Sequence, residues 1–221
     1  MATWATIQTR LQGLLAPAVV LRLGAASGEL DALPAQEQRL VDGAVAQRQA
    51  QFAAGRMLAR DALIALGEAS QPLLKHRDGS PMWPRGVCGS LTHTRDVAAA
   101  VVARRHDFLS IGIDIEASRR FPLEATDTVL TPAEQLWADS DTRRLRVFCA
   151  KEAIYKCLAP LGWPDLDFRD VELHWQHDLF TATSTASAGC RPPQLVALRG
   201  RCARLGDHTA AFAFIAAPAS G

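Results

Sequence analysis

The chain has 221 residues and a formal net charge of +1, which suits one large domain or two small ones with a proper buried core. A balance this close to neutral argues against bulk nucleic acid as the main partner, so recognition has to come from a defined site. The five cysteines, Cys88, Cys149, Cys157, Cys190 and Cys202, lack CxxC or zinc spacing and cannot complete a disulfide set, which points to reduced thiols in a cytoplasmic protein.

In chain order, the first apolar run, Leu11 to Leu23, is interrupted by Pro17 and Arg22 and is too short for a bilayer, so no membrane span is expected. Helical spacing of Val45, Phe52, Ala59, Leu63 and Leu66 predicts a long helix from about Ala44 to Leu66, capped by Gly67. It carries "GRMLAR", whose Arg56 and Arg60 share a face one turn after Phe52; that face is either a solvated basic stripe or an anion-binding one. The Gly- and Pro-rich "HRDGSPMWPRGVCGS" reads as loop. Val97 to Ala103 reads as a buried strand, with Thr92 and His93 in the turn before it.

After a polar turn at Arg104 to Asp107, "FLSIGIDIE" predicts the next strand, pairing antiparallel with the one before. Alternation puts Ile111, Ile113 and Ile115 on one face and Gly112, Asp114 and Glu116 on the other. Adjacent carboxylates on one strand face repel, and a hard divalent cation such as Mg²⁺ would relieve that; the alternative is an exposed face with two solvated acids. In "TPAEQLWA" the Thr131–Glu134 capping box and Pro132 start a helix, a signal that is structural and carries no assigned chemistry.

A second long helix is predicted over about Thr142 to Leu161, its apolar stripe built from Val147, Ala150, Ile154, Leu158 and Leu161. Glu152 and Lys156 fall on the opposite face, as a solvated pair or as chemistry, while Lys151 turns toward the edge of the stripe. The tail offers strand-like runs "VELHW", "QLVALRG" and "AAFAFIAA", suggesting a small antiparallel sheet.

Three pieces, "SLTH", "GIDIE" and "FCAKEAIYK", occur in an order and spacing that resembles the Sfp-type 4′-phosphopantetheinyl transferases, most closely the enterobactin synthetase component D branch. "GRMLAR" is similar to that branch's basic helix motif, and "GSPMWPRGVCGSLTH" to its loop leading into a phosphate-binding histidine. Phe148 stands where the family commonly has Trp, Thr92 where it often has Ser, and Ser80 follows Gly79 where some members carry a lysine.

The resemblance implies an α+β fold, a pseudo-twofold pair of similar subdomains, each a small antiparallel sheet with a long packed helix. It divides the chain into an N-terminal subdomain, residues 1–109, and a C-terminal subdomain, residues 110–221, that carries the metal site, with a coenzyme A cleft between them. It implies Mg²⁺ held by Asp114, Glu116 and Glu152, coenzyme A contacted by Arg48, Arg56, Thr92, His93 and Lys156, and Glu152 and Lys156 as the catalytic pair.

The reaction so implied transfers 4′-phosphopantetheine from coenzyme A to a serine of an apo acyl, aryl or peptidyl carrier protein, releasing adenosine 3′,5′-bisphosphate, with the enzyme acting as a monomer. The chemistry suits the residue types: a metal for the phosphoryl oxygens, a base for the hydroxyl and a cation for the leaving phosphate. Two alternatives use the same residues: a metal-dependent nuclease or phosphohydrolase, which would call for a broad basic surface, and a carrier-protein binding module that keeps the fold without the chemistry.

Overall fold

The computed structural model describes residues 3–77, 79–118 and 120–218. The chain divides into two compact units that part between Phe108 and Leu109. Among the described residues no helix is long and apolar enough to cross a membrane.

The first unit is a three-stranded antiparallel sheet with one long helix. A short helix α1, Trp4–Gln12, precedes strand β1, Val20–Ala25. Gln8 and Gln12, one turn apart on α1, bond the backbone of β1: Gln12 donates to Val19 O and accepts from Leu21 N, and Gln8 accepts from Leu23 N. Because β1 is an edge strand, these two side chains occupy backbone groups that would otherwise invite another chain. Helix α2, Ala35–Gln38, leads to helix α3, Ala46–Ala65, close to the predicted span. Gly67, at φ +86°, ends it: Glu68 N bonds Leu63 O and Gly67 N bonds Ile64 O, closing the last turn as a Schellman motif.

Strands β2, Val87–His93, and β3, Val97–Arg104, complete the sheet in the order β1-β3-β2. Thr92 and His93 therefore end a strand instead of sitting in a turn; they pair with Ala99 and Ala98, and the reversal is confined to the residues between. Of the glycines in the preceding stretch, Gly89 enters the ladder opposite Val102, while Gly79 and Gly86 stay outside it at positive φ. Central β3 is buried along nearly its whole length, and its alanines let α3 pack closely.

The second unit opens with strand β4, Phe108–Ala117, whose first residue belongs to the unit before. Strand β4 joins a five-stranded sheet of order β4-β8-β7-β6-β5, so the antiparallel pair expected between it and β3 does not form. Local proximity favoured a hairpin, but the partner of β4 is the last strand of the chain. Two short helices follow, α4, Thr126–Val129, and α5, Pro132–Trp137, the latter with the predicted capping box in place. Helix α6, Asp141–Leu158, packs on β8, His208–Ala216, and β7, Leu198–Leu205. The hairpin of β5, Val171–Gln176, and β6, Leu179–Ser184, fills the far edge. The first half of "QLVALRG" is a 3-10 turn, Pro193–Ala197, with proline at its start, and β7 begins only at Leu198.

Both faces of β4 are covered. Ile111, Ile113 and Ile115 are buried as expected, and Gly112 and Asp114 are buried too, so the acid face is not a solvated one.

Candidate active site

In the first unit the basic residues of α3 are not a solvated stripe. Arg60 pairs with the fully buried Glu37 at 3.0 Å, while Arg56 is only 3% exposed and stacks on the Phe52 ring at 4.8 Å. Its Nε and Nη1 are buried without a hydrogen-bond partner. Burial pulls the Arg56 guanidinium down to about 10, with Glu37 opposing. A buried guanidinium with idle donors is a costly arrangement that an anion would relieve.

Arg48, two turns earlier on α3, reaches the end of β2, its Nη1 lying 2.5 Å from His93 Nε2. Since a guanidinium can only donate, His93 accepts there and carries its own proton on Nδ1. Arg48 and His93 are exposed and Thr92 beside them is buried, so α3 and β2 bring three of the expected phosphate-binding residues to one place.

In the second unit the decisive contact is between β4 and α6. Lys156 Nζ donates to Asp114 Oδ1 at 2.7 Å, with the lysine side chain 26% exposed and the aspartate 6%. Lys156 thus reaches across to the strand, and the solvated Glu152–Lys156 pair allowed by their spacing is not what forms. Glu152 is half-buried within the field of both groups: burial raises its carboxyl above the usual carboxylate range, Lys156 opposes this, and Asp114 adds to it.

Among the described residues no group of three His, Cys, Asp or Glu side chains is gathered to hold a metal ion, and Glu116 lies half-buried two residues beyond Asp114. The donor chemistry still fits a hard cation, because Mg²⁺ is commonly held by one or two carboxylates together with substrate phosphates.

The sequence reading missed what holds the strand and helix together. A side-chain carbon on Gly112 would lie 2.0 Å from Ala153 O and 2.8 Å from Cys157 N, so the glycine is what lets the α6 backbone approach β4. Cys149 bridges β4 and β8 by donating its thiol to Asp114 O and Thr209 O, both at 3.4 Å. Burial raises this thiol well above its usual range, keeping it a donor. Phe148 packs between Phe121 and Phe168 and fills the role of an aromatic spacer. Beside Glu152 opens a cavity of about 190 Å³, lined by Lys151, Ile154, Tyr155, Leu166 and Phe168.

The two sheet-and-helix units thus carry a basic cluster in one and an acid–lysine cluster in the other, residue types that suit phosphate groups and a cation. The comparisons name the family. The 4′-phosphopantetheinyl transferase N-terminal domain matches residues 36–103, and the 4′-phosphopantetheinyl transferase superfamily matches residues 110–213. The chain belongs to the 4′-phosphopantetheinyl transferase family. It is 40% identical over 152 residues to the 4′-phosphopantetheinyl transferase Npt of Nocardia iowensis, covering 67% of this chain and 68% of Npt. To PptT of Mycobacterium tuberculosis it is 36% identical over 186 residues, covering 75% of this chain and 78% of PptT. To enterobactin synthase component D of Salmonella typhimurium it is 32% identical over 126 residues, covering 51% of this chain and 49% of the relative.

Proposed function

We propose that this enzyme transfers 4′-phosphopantetheine from coenzyme A to a serine of an apo carrier protein, with release of adenosine 3′,5′-bisphosphate. The observation that carries the reading is the cluster of Asp114, Glu152 and Lys156, which puts two carboxylates and an ammonium where strand β4 meets helix α6. Asp114 and Glu152 are the proposed holders of Mg²⁺, with Glu116 as the third carboxylate of the set. When bound, the metal would neutralise phosphoryl oxygens of the pyrophosphate.

In this reading the serine oxygen attacks the phosphorus that carries pantetheine, and the pyrophosphate P–O bond breaks toward the adenosine side. Glu152 takes the serine proton, directly or through one water, and its raised affinity for a proton suits it to that task. Lys156 turns its ammonium from Asp114 to the charge that develops on the departing phosphate. Arg48, Arg56, Thr92 and His93 are proposed to hold the coenzyme A phosphates. Incubation with Mg²⁺, coenzyme A and a panel of apo acyl, aryl and peptidyl carrier domains should add the phosphopantetheine mass to at least one of them. No increment on any carrier would sink the proposal.

Arg56→Ala should weaken coenzyme A binding, because the idle donors of Arg56 await an anion. A charge-assisted hydrogen bond is worth roughly 1.5–3 kcal/mol, so KM for coenzyme A should rise by about 10- to 100-fold with kcat little changed. Unchanged affinity in a calorimetric titration would remove Arg56 from the site and leave its burial unexplained.

A further inference from the structure

Lys151 and Glu134 form a buried ion pair outside the cluster just described, with side chains only 2% and 3% exposed. All three ammonium protons are used: Lys151 Nζ donates to Glu134 Oε2 at 2.7 Å, Phe168 O at 2.7 Å and Val129 O at 2.8 Å. Glu134 is as fully engaged. Its Oε2 also accepts from Thr131 N at 2.8 Å, closing the capping box of α5, and its Oε1 accepts from Leu173 N on β5 at 2.9 Å. Burial lowers the affinity of Lys151 for its proton and Glu134 raises it again, so the pair is stable only as a pair.

A tetrahedral ammonium with three fixed acceptors defines one position for the helix that carries it. Successive side chains on a helix point about 100° apart, so fixing the direction of Lys151 fixes that of Glu152. The same acceptors tie α6 to the end of α4, the start of α5 and the turn Phe168–Asp170, whose Phe168 lines the cavity beside Glu152. An ammonium placed only for charge would need one carboxylate, whereas this one has two backbone carbonyls from separate elements as well.

We propose that Lys151 and Glu134 are positioning residues that set the rotation and height of α6, and with them where Glu152 stands beside the Lys156–Asp114 contact. Lys151 does not itself bind substrate phosphate, because its donors are spent on the protein. The inference rests on the reading of Glu152 as a working group of the transfer reaction. It gives chemistry-supporting work to the capping-box glutamate, which its sequence pattern alone marks as a helix start.

The test separates position from stability. Replacing both members with apolar residues of similar volume, Glu134→Leu with Lys151→Met, removes no net charge, but it takes their partner away from Thr131 N, Leu173 N and the carbonyls of Val129 and Phe168. The doubly substituted enzyme should therefore melt below native; assayed well below its own melting temperature, its kcat should fall by about tenfold or more, with KM for coenzyme A within about threefold. Lys151→Arg provides a second variant: it keeps the charge, but a planar guanidinium cannot direct three donors from one point, so kcat should fall similarly. Glu152→Gln, measured alongside, should be inactive. If either positioning variant is folded and turns over within threefold of native while Glu152→Gln is inactive, the positioning role is wrong and the site reading survives. If Glu152→Gln itself keeps native turnover, the site reading falls and the positioning role falls with it.

Discussion

Replacing Asp114 with Ala should lower kcat by on the order of 10²–10³-fold while leaving the fold in place. The fold survives because the contribution of Asp114 to packing is made by its backbone: its carbonyl accepts the Cys149 thiol, and the strand keeps its buried isoleucines. What is lost is the carboxylate that Lys156 Nζ meets at 2.7 Å and that holds the cation in the proposed reaction. Lys156 is 26% exposed and can turn to water, so its stranded charge costs little. Stability without metal should change by less than about 1 kcal/mol. The reciprocal change, Lys156→Ala, leaves Asp114 without its ammonium partner and removes the cation proposed for the leaving phosphate, and it should reduce kcat by on the order of 10²-fold. Lys156→Arg should recover only part of that. Turnover of Asp114→Ala within a few-fold of native, at saturating Mg²⁺ and coenzyme A, would show that Asp114 is not a metal ligand.

The legible parts of this molecule are those set by local pattern. Both long helices, the Thr131–Glu134 capping box and the buried strand beginning at Val97 follow from periodicity and cap chemistry, and the structure has them within a few residues. Pairing was less legible. Strand β4 lies next to β3 in sequence but joins β8, about a hundred residues on, and nothing in the alternation of "SIGIDIE" distinguishes the two partners. The sequence pattern places Thr92 and His93 in the turn before the strand at Val97, yet the ladder with β3 extends to His93. The pattern also placed Glu152 and Lys156 away from the apolar stripe, which is correct in direction but not in exposure. The small residues Cys149, Ala153 and Cys157 bring a second face of α6 against the sheet, and that face carries Glu152 and Lys156 to the strand. Lys151 was assigned to the edge of the stripe; its partner Glu134 sits seventeen residues earlier on a separate helix, a pairing that spacing cannot reveal.

Gly112→Ala should be severely damaging for a single added methyl group. The new carbon would stand 2.0 Å from Ala153 O and 2.8 Å from Cys157 N, and both are backbone atoms that cannot rotate aside. Helix α6 must therefore retreat from β4 by more than 1 Å, and core overpacking of this kind costs about 1–3 kcal/mol. The damage to function should exceed the damage to stability. Ala153 follows Glu152 directly and Cys157 follows Lys156, so the part of α6 that is pushed away is the part that carries the acid and the lysine. The 2.7 Å contact of Lys156 with Asp114 would open, and a displacement near 1 Å can reduce turnover by about 10²-fold in protein that remains folded. Ile113→Val, in the adjacent fully buried position, calibrates the experiment: it should cost about 0.5–1.5 kcal/mol by removing one methyl group and leave kcat within twofold, since it moves no backbone. Measuring kcat for both variants well below their melting temperatures separates geometry from unfolding. A Gly112→Ala enzyme that melts and turns over like Ile113→Val would mean that α6 has room to spare, and that the glycine of the Gly-x-Asp-x-Glu pattern does not set the distance between strand and helix.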